Sequence, residues 1–296
     1  MNATAAEVLD GIDLSGRTAL VTGGYSGIGI EVVRALAGAG AHVLAPARRP
    51  EKATEALADV DGVEIGELDL ADQGSVAAYA EGVLAGGRHL DIVVNNAGIM
   101  ACPERRVGPG WELHLATNHL GHYALVNRLW PAITGGARVV SVSSTGHHLS
   151  DFRWDDPWFE TGYDKWQAYG QSKTANVLFA VHLDELGRDQ GVRAFSLHPG
   201  AIITALGRHL QADDLTDLEI PEFRSPEQGA ATAVWAAVAP ELDGRGGLYL
   251  EDCHVAEVVP DGPQTTCGVR DYALDPDAAA RLWAWSAAQT GVDAFS

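Results

Sequence analysis

Short apolar runs alternate with longer stretches of helical spacing along this chain of 296 residues. The runs fall at 17–22, 42–45, 63–68, 91–95, 137–142, 192–197 and 247–251, and each predicts a strand. Helical spacing covers 30–39, 109–130, 168–187 and 226–238, and Gly135-Gly136 breaks the second of these. Ser225-Pro226-Glu227-Gln228 predicts a helix start, with a capping serine, a proline in the first turn and a glutamine placed to cap reciprocally. Asp275-Pro276 opens an amphipathic tail helix through Trp283 and Trp285. Strand and helix alternate six times, which points to a doubly wound parallel sheet with right-handed crossovers.

Two stretches interrupt the alternation. Residues 145–165 make a long polar and aromatic connection, and one of that length is expected to carry function. Residues 201–224 have weak periodicity and predict a mobile loop with short helices. With no repeat, low-complexity segment or linker, the expectation is one α/β domain over 1–296. Its Rossmann-type core spans about 16–251 and holds a seven-stranded, mainly parallel sheet flanked by helices. A substrate loop at 201–224 and a tail at 252–296 complete it.

Composition narrows the function. The apolar content of 46% suits a globular core, and no apolar run approaches the roughly 20 residues that span a bilayer. A net charge of −20 argues against nucleic-acid and anionic-membrane partners. It also means that a phosphate ligand must be held by local donors. Residues 1–16 lack the pattern of a secretory signal. The three cysteines, Cys102, Cys253 and Cys267, lack metal-ligand spacing and suit a reducing, cytoplasmic setting. Asp151, Asp155 and Asp156 lack the ordered spacing of a calcium loop, so no metal is expected.

The candidate chemistry lies where elements meet. Gly23, Gly24, Ser26, Gly27, Ile28 and Gly29 fall between the first strand and the first long helix. A glycine-rich turn there lets backbone approach a pyrophosphate, and the helix N-terminus supplies amide donors. The plainer reading is an ordinary strand-to-helix turn. After the second strand Ala47 stands where a carboxylate would bind the ribose hydroxyls of NAD, and Arg48 and Arg49 follow. Guanidinium forks match a 2′-phosphate, although two solvated loop arginines remain the alternative. Tyr169 and Lys173 are four residues apart, one turn apart on a helix face. A nearby cation is expected to lower the phenol pKa from roughly 10 and fit it for acid/base work.

Together, Thr22-Gly23-x-x-x-Gly27-Ile28-Gly29, Asn95-Asn96-Ala97-Gly98, Asn118, Ser144, Tyr169-x-x-x-Lys173 and Pro199-Gly200-x-x-x-Thr204 resemble the short-chain dehydrogenase/reductase family over about residues 16–251. Residues 117–122 and 172–176, and the 25-residue step from Ser144 to Tyr169, look like its retinol dehydrogenase and protochlorophyllide reductase branch. The membrane anchor common in retinol dehydrogenases is absent, and no cysteine immediately precedes Tyr169. A soluble, bacterial-type member is therefore expected, without retinoid or chlorophyll-precursor chemistry.

The resemblance implies roles residue by residue. Tyr169 is the proton donor in reduction, and Lys173 lowers its pKa and holds the nicotinamide ribose. Ser144, with Ser143 as fallback, bonds the substrate oxygen, and Asn118 positions a water that links Lys173 to solvent. Gly23, Ser26, Gly27, Ile28 and Gly29 line the pyrophosphate and adenosine side. Asp69 and Leu70 contact the adenine, Asn95, Asn96, Ala97 and Gly98 pack beside the adenosine ribose, Thr204 holds the carboxamide, and Pro199 and Gly200 belong to the same cofactor-binding set. Arg48 and Arg49 select NADP. The same resemblance implies a homo-oligomer, dimer or tetramer, paired through the helices of Asn118 and Tyr169.

The implied activity is NADP-dependent hydride transfer between nicotinamide and a carbonyl or secondary alcohol of a small molecule. Alternatives are reduction of an activated carbon–carbon double bond and a non-catalytic dinucleotide sensor. Phe152, Trp154, Trp158 and Phe159 in the connection, with Ile202, Ile203, Leu206 and Leu210 in the loop, are expected to line an apolar substrate pocket; the alternative is that the tryptophans pack inward and only fix the insertion to the sheet. His147 and His148 read as surface or hydrogen-bonded loop residues, with substrate contact as the alternative, and the tail tryptophans as core, with capping of the substrate pocket as the alternative.

Overall fold

The computed structural model describes residues 3–210, 214, 223–262 and 265–296. Its strands in chain order are β1 (Thr18–Val21), β2 (His42–Leu44), β3 (Val63–Glu64), β4 (Ile92–Asn95), β5 (Arg106–Val107), β6 (Trp111–Glu112), β7 (Ala137–Val142), β8 (Val192–His198), β9 (Leu248–Glu251), β10 (His254–Val255), β11 (Val258–Val259) and β12 (Val269–Arg270). The helices are α1 (Ala5–Val8), α2 (Ile28–Gly38), α3 (Pro50–Ala56), α4 (Gln73–Ala85), α5 (Gly121–Arg128), α6 (Trp130–Ile133), α7 (Lys165–Gly187), α8 (Pro226–Val238) and α9 (Pro276–Thr290). The central sheet runs β10-β9-β8-β7-β4-β1-β2-β3. The seven predicted strands are all parallel, and β10 adds an antiparallel edge.

Strand residues alternate between two covered faces. Ala19, Val21, Val94, Val140 and Leu197 join Val32, Val33 and Leu36 of α2 and Val234 of α8 in one core. Leu20, Val93, Val139 and Ala194 join Val76 of α4, Leu125 of α5 and Phe179 of α7 in the other. The chain goes outward from β1 through β2 to β3, then crosses back to β4 on the other side of β1. That reversal opens a crevice beyond the carboxyl ends of β1 and β4, where ligands of such sheets bind.

Several boundaries differ from expectation, each for a local reason. The helix expected from 109 begins only after a hairpin of β5 and β6. Gly108 and Gly110 there take positive φ, and Pro109 sits in the turn. The Glu112 carboxylate then accepts the amides of His114 and Leu115 and caps the helix start. The third ladder closes after Glu64, and only an isolated bridge joins Ala47 to Glu67. Asp164 accepts the amides of Trp166 and Gln167 and starts α7 at Lys165 rather than at 168. The Ser225–Gln228 capping box and the Asp275 cap form as predicted. Of the loop at 201–224, residues 211–213 and 215–222 lie outside the described residues, Leu210 being its last described apolar position before them.

The tail packs across α5 and α7. Trp283 lies 4.9 Å from the Tyr123 ring centroid and stacks on Phe179 at 5.8 Å. The Tyr123 hydroxyl donates to Val292 O, and Ala294 N donates to Asn127 Oδ1. These are the helices through which the resemblance would pair two subunits, and the chain's own tail lies on them. The insertion packs the same way: Phe152 and Trp158 lie 5.1 and 5.2 Å from Trp285, and Trp158 stacks on Trp111 at 6.0 Å. Phe159 is buried under Arg153, whose guanidinium lies over its ring. The four aromatics expected to line a substrate pocket instead fix the insertion to the tail, the hairpin and one another, because apolar partners are already within reach.

Candidate active site

The crevice at β1 and β4 is built from positions that cannot carry a side chain. A Cβ on Gly29 would lie 2.3 Å from Gly23 O, and one on Gly23 would lie 2.9 Å from Ala97 Cα. Gly23 and Gly27 have φ of 65° and 55°, where other residues are strained. α2 starts at Ile28 without a side-chain cap, so its first amides keep their donors for an anion. A Cβ on Gly27 would touch Thr204 at 3.3 Å, which puts Thr204 against the turn that carries Ser26. This tight, amide-rich cradle fits a dinucleotide.

The other expected cofactor residues divide. Arg48 and Asp69 line a cavity of about 670 Å³ that also receives Arg105 and Arg208. Arg49 is not part of its lining and instead sits at the start of α3. Leu70 faces the core, its carbonyl lying where a Cβ on Gly121 would be 2.3 Å away. The Asn95 side chain is buried in β4 and donates to Ser141 Oγ. Asn96 Nδ2 donates to Thr22 O, so it shapes the turn. A Cβ on Gly98 would lie 3.4 Å from Asn118 Oδ1 and 3.5 Å from Lys173 Nζ, so these groups converge. Pro199 and Gly200 follow β8, with Gly200 at φ 99° against Arg224.

The reacting groups meet beyond β7. Ser143 spends its hydroxyl on Lys173 O at 2.8 Å and ties β7 to α7. Ser144 caps the turn Thr145–Leu149, accepts Gly146 N at 3.0 Å and hydrogen-bonds Tyr169. The second serine, not the first, therefore faces the phenol. Gly146 is required here: a Cβ would lie 2.6 Å from Tyr169 Cε1. One turn along α7, Lys173 Nζ lies 5.7 Å from the Tyr169 ring centroid and donates to Val142 O at 3.0 Å. Burial pushes the Tyr169 phenol up to about 12 against the Ser144 hydrogen bond, and draws Lys173 down to about 8. Burial rather than Lys173 sets the direction at the phenol, and the ammonium is aimed at the Val142 carbonyl.

Asn118 lies in a π turn, Leu115–Leu120. Its Nδ2 donates to Ile99 O at 3.0 Å and Ser172 Oγ at 2.9 Å, and its Oδ1 accepts Ile99 N at 2.9 Å. Gly146, Arg105 and Arg208 carry no signal in the sequence as site residues; Ser172 does, within 172–176 and beside Lys173. His147 and His148 are hydrogen-bonded loop residues, as expected: His147 pairs with Ser144 O and Arg270 N, and His148 with Gly268 O. Asp156 accepts Glu160 N, so this carboxylate closes a turn.

The family model described as "short chain dehydrogenase" matches residues 17–215. The chain belongs to that family. A "Probable oxidoreductase" from Streptomyces lividans is 46% identical, over 93% of this chain and 98% of its own. This short-chain dehydrogenase is also 37% identical to "Retinol dehydrogenase 12" from Homo sapiens, over 84% and 82% of the two chains. That likeness agrees with the branch suggested by residues 117–122 and 172–176. A crystal structure of an uncharacterized protein from Mycobacterium Paratuberculosis superposes with a TM-score of 0.78 at 33% identity, covering 100% of both chains. The protein is an oxidoreductase of this family, and no described helix is long and apolar enough to cross a membrane.

Proposed function

We propose that this dehydrogenase uses NADP to interconvert a carbonyl compound and a secondary alcohol. The observation that carries the reading is the meeting of Ser144, Tyr169 and Lys173 at the sheet edge, beside a glycine cradle that a dinucleotide fits. When bound, the dinucleotide supplies or accepts the hydride. Tyr169, pushed up to about 12, holds its proton at neutral pH and can deliver it to the substrate oxygen. Ser144 offers a second donor to that oxygen as charge develops. Lys173, protonated below about 8, keeps two N–H groups beyond its bond to Val142 and can hold the ribose. Asn118 fixes Ile99, the residue after Gly98, and Ser172, the residue before this lysine.

NADP is favoured over NAD by charge. The chain carries 40 acidic and 20 basic side chains, yet Arg48, Arg105 and Arg208 line one cavity without an ion-pair partner among the described residues. Such a cluster matches a phosphate dianion. Apolar substrate contact shifts from the insertion to the loop, where Ile203 and Phe223 are exposed on either side of the Ile202–Arg224 bridge. Titration with NADPH and NADH, followed by turnover of apolar and polyhydroxylated ketones, tests the reading. Tighter NADPH binding and preference for apolar ketones are expected. Preference for NADH, or no turnover of any carbonyl, overturns it.

A further inference from the structure

We propose that His122 is a two-armed positioning residue that couples the dinucleotide cradle to the Asn118 turn. His122 is buried in the first turn of α5. Its Nε2 lies 2.8 Å from Thr22 Oγ1, and its Nδ1 lies 2.9 Å from Asn118 O. The proton positions follow from counting donors. Thr22 Oγ1 accepts the amides of Asn96 and Ala97, both at 3.0 Å, which uses both of its lone pairs. Its one hydrogen then goes to His122 Nε2 at 2.8 Å rather than to Val94 O at 3.4 Å. Nε2 is therefore the acceptor. At the other end Asn118 O can only accept, so Nδ1 must carry the hydrogen. Both ends demand the same tautomer, and burial, which draws the imidazole down to about 4, keeps it neutral.

The result is a closed ring of contacts. Residues 96–99 are pinned at one end by Thr22, through the amides of Asn96 and Ala97. They are pinned at the other by Asn118, which takes both backbone groups of Ile99. His122 joins the two anchors and so sets the distance between them. The segment it holds packs against Gly23 and brings Gly98 up to Lys173 Nζ. One arm therefore governs the cradle and the other governs the reacting groups.

The proposal rests on the dinucleotide reading above, and its test separates the two. An asparagine can imitate Nδ1 and donate to Asn118 O, but cannot reach Thr22. A glutamine can imitate Nε2 and accept from Thr22, but leaves Asn118 O. His122→Phe removes both arms while keeping a ring. We expect His122→Phe to weaken NADPH binding and to lower kcat, each by about 10-fold, the scale of one lost buried hydrogen bond. His122→Asn should restore kcat alone, and His122→Gln should restore NADPH affinity alone. Equal losses in the Asn and Gln variants overturn the two-armed role. Nitrogen chemical shifts of His122 in the wild-type protein give a readout independent of cofactor. Hydrogen on Nδ1 supports the proposal, and hydrogen on Nε2 or on both nitrogens overturns it. A wild-type protein that binds neither dinucleotide overturns the proposed function, and the shifts still decide the protonation on which His122's role depends.

Discussion

The glycine cradle and the aromatic insertion lie near the same edge of the sheet, and they were built under opposite constraints. In the cradle each residue type is dictated by its own backbone: Gly29 has no room for a Cβ, and Gly23 and Gly27 need positive φ. In the insertion Phe152, Trp158 and Phe159 are dictated by what they touch, and their partners come from 111, 153 and 285. A feature that is locally determined can be read from a short stretch of sequence. A feature chosen by distant partners reads only as apolar, and invites assignment to a ligand that is in fact the protein itself.

Trp283→Ala should cost about 3–5 kcal/mol of stability in denaturant titration, the usual loss for a buried tryptophan. Turnover per folded molecule should be little changed, since α9 is packing and not chemistry. A variant with full stability but altered substrate preference would move the aromatic flank to the active site. Next in size, Tyr169→Phe should lower turnover by at least about 10²-fold while NADPH affinity stays similar. Near-normal steady-state rates would mean that the proton comes from elsewhere.

Arg48→Ala should weaken NADPH by about 1.5–3 kcal/mol and NADH far less. Equal small effects on both would return Arg48 to the solvated loop. The smallest effect concerns pH. Lys173 is charged below about 8, so kcat/KM for reduction should be level below that value and decline above it. Lys173→Arg keeps its charge and should remove the decline. Since the folded state releases this proton at about 8 and the unfolded chain at 10.5, folding binds fewer protons in between. The burial penalty is thus fully present below about 8 and is relieved as pH rises through the window. A stability profile compared with Lys173→Met checks the sign.

Much of the framework was legible because it repeats local rules. The seven parallel strands, the Ser225 and Asp275 caps and the Tyr169–Lys173 spacing needed no tertiary information. The edge strand β10 was hidden by its turn. Asp252 and Cys253 both take positive φ between β9 and β10, a conformation usually signalled by Asn-Gly or Gly-Gly. The hairpin at 106–112 carried its signal in Gly108-Pro109-Gly110, which helical spacing obscured. The choice between Ser143 and Ser144 lay in the Ser143 bond to Lys173 O, across 30 residues. Sequence shows the cation beside Tyr169 but not the depth of burial, which raises the phenol.

Trp283 and the residues after it make the last segment of the chain a ligand for the rest. Cut before Asp275, the molecule would become a receptor for its own terminal peptide, with a socket formed by Tyr123 and Phe179. In the intact chain that peptide is tethered beside its socket at an effective concentration of order millimolar. A second molecule in dilute solution competes poorly against it, so we expect any self-association of the intact chain to use another surface. The truncated chain, its apolar strip bared, should accept the peptide when it is added back, or a copy of itself when it is not.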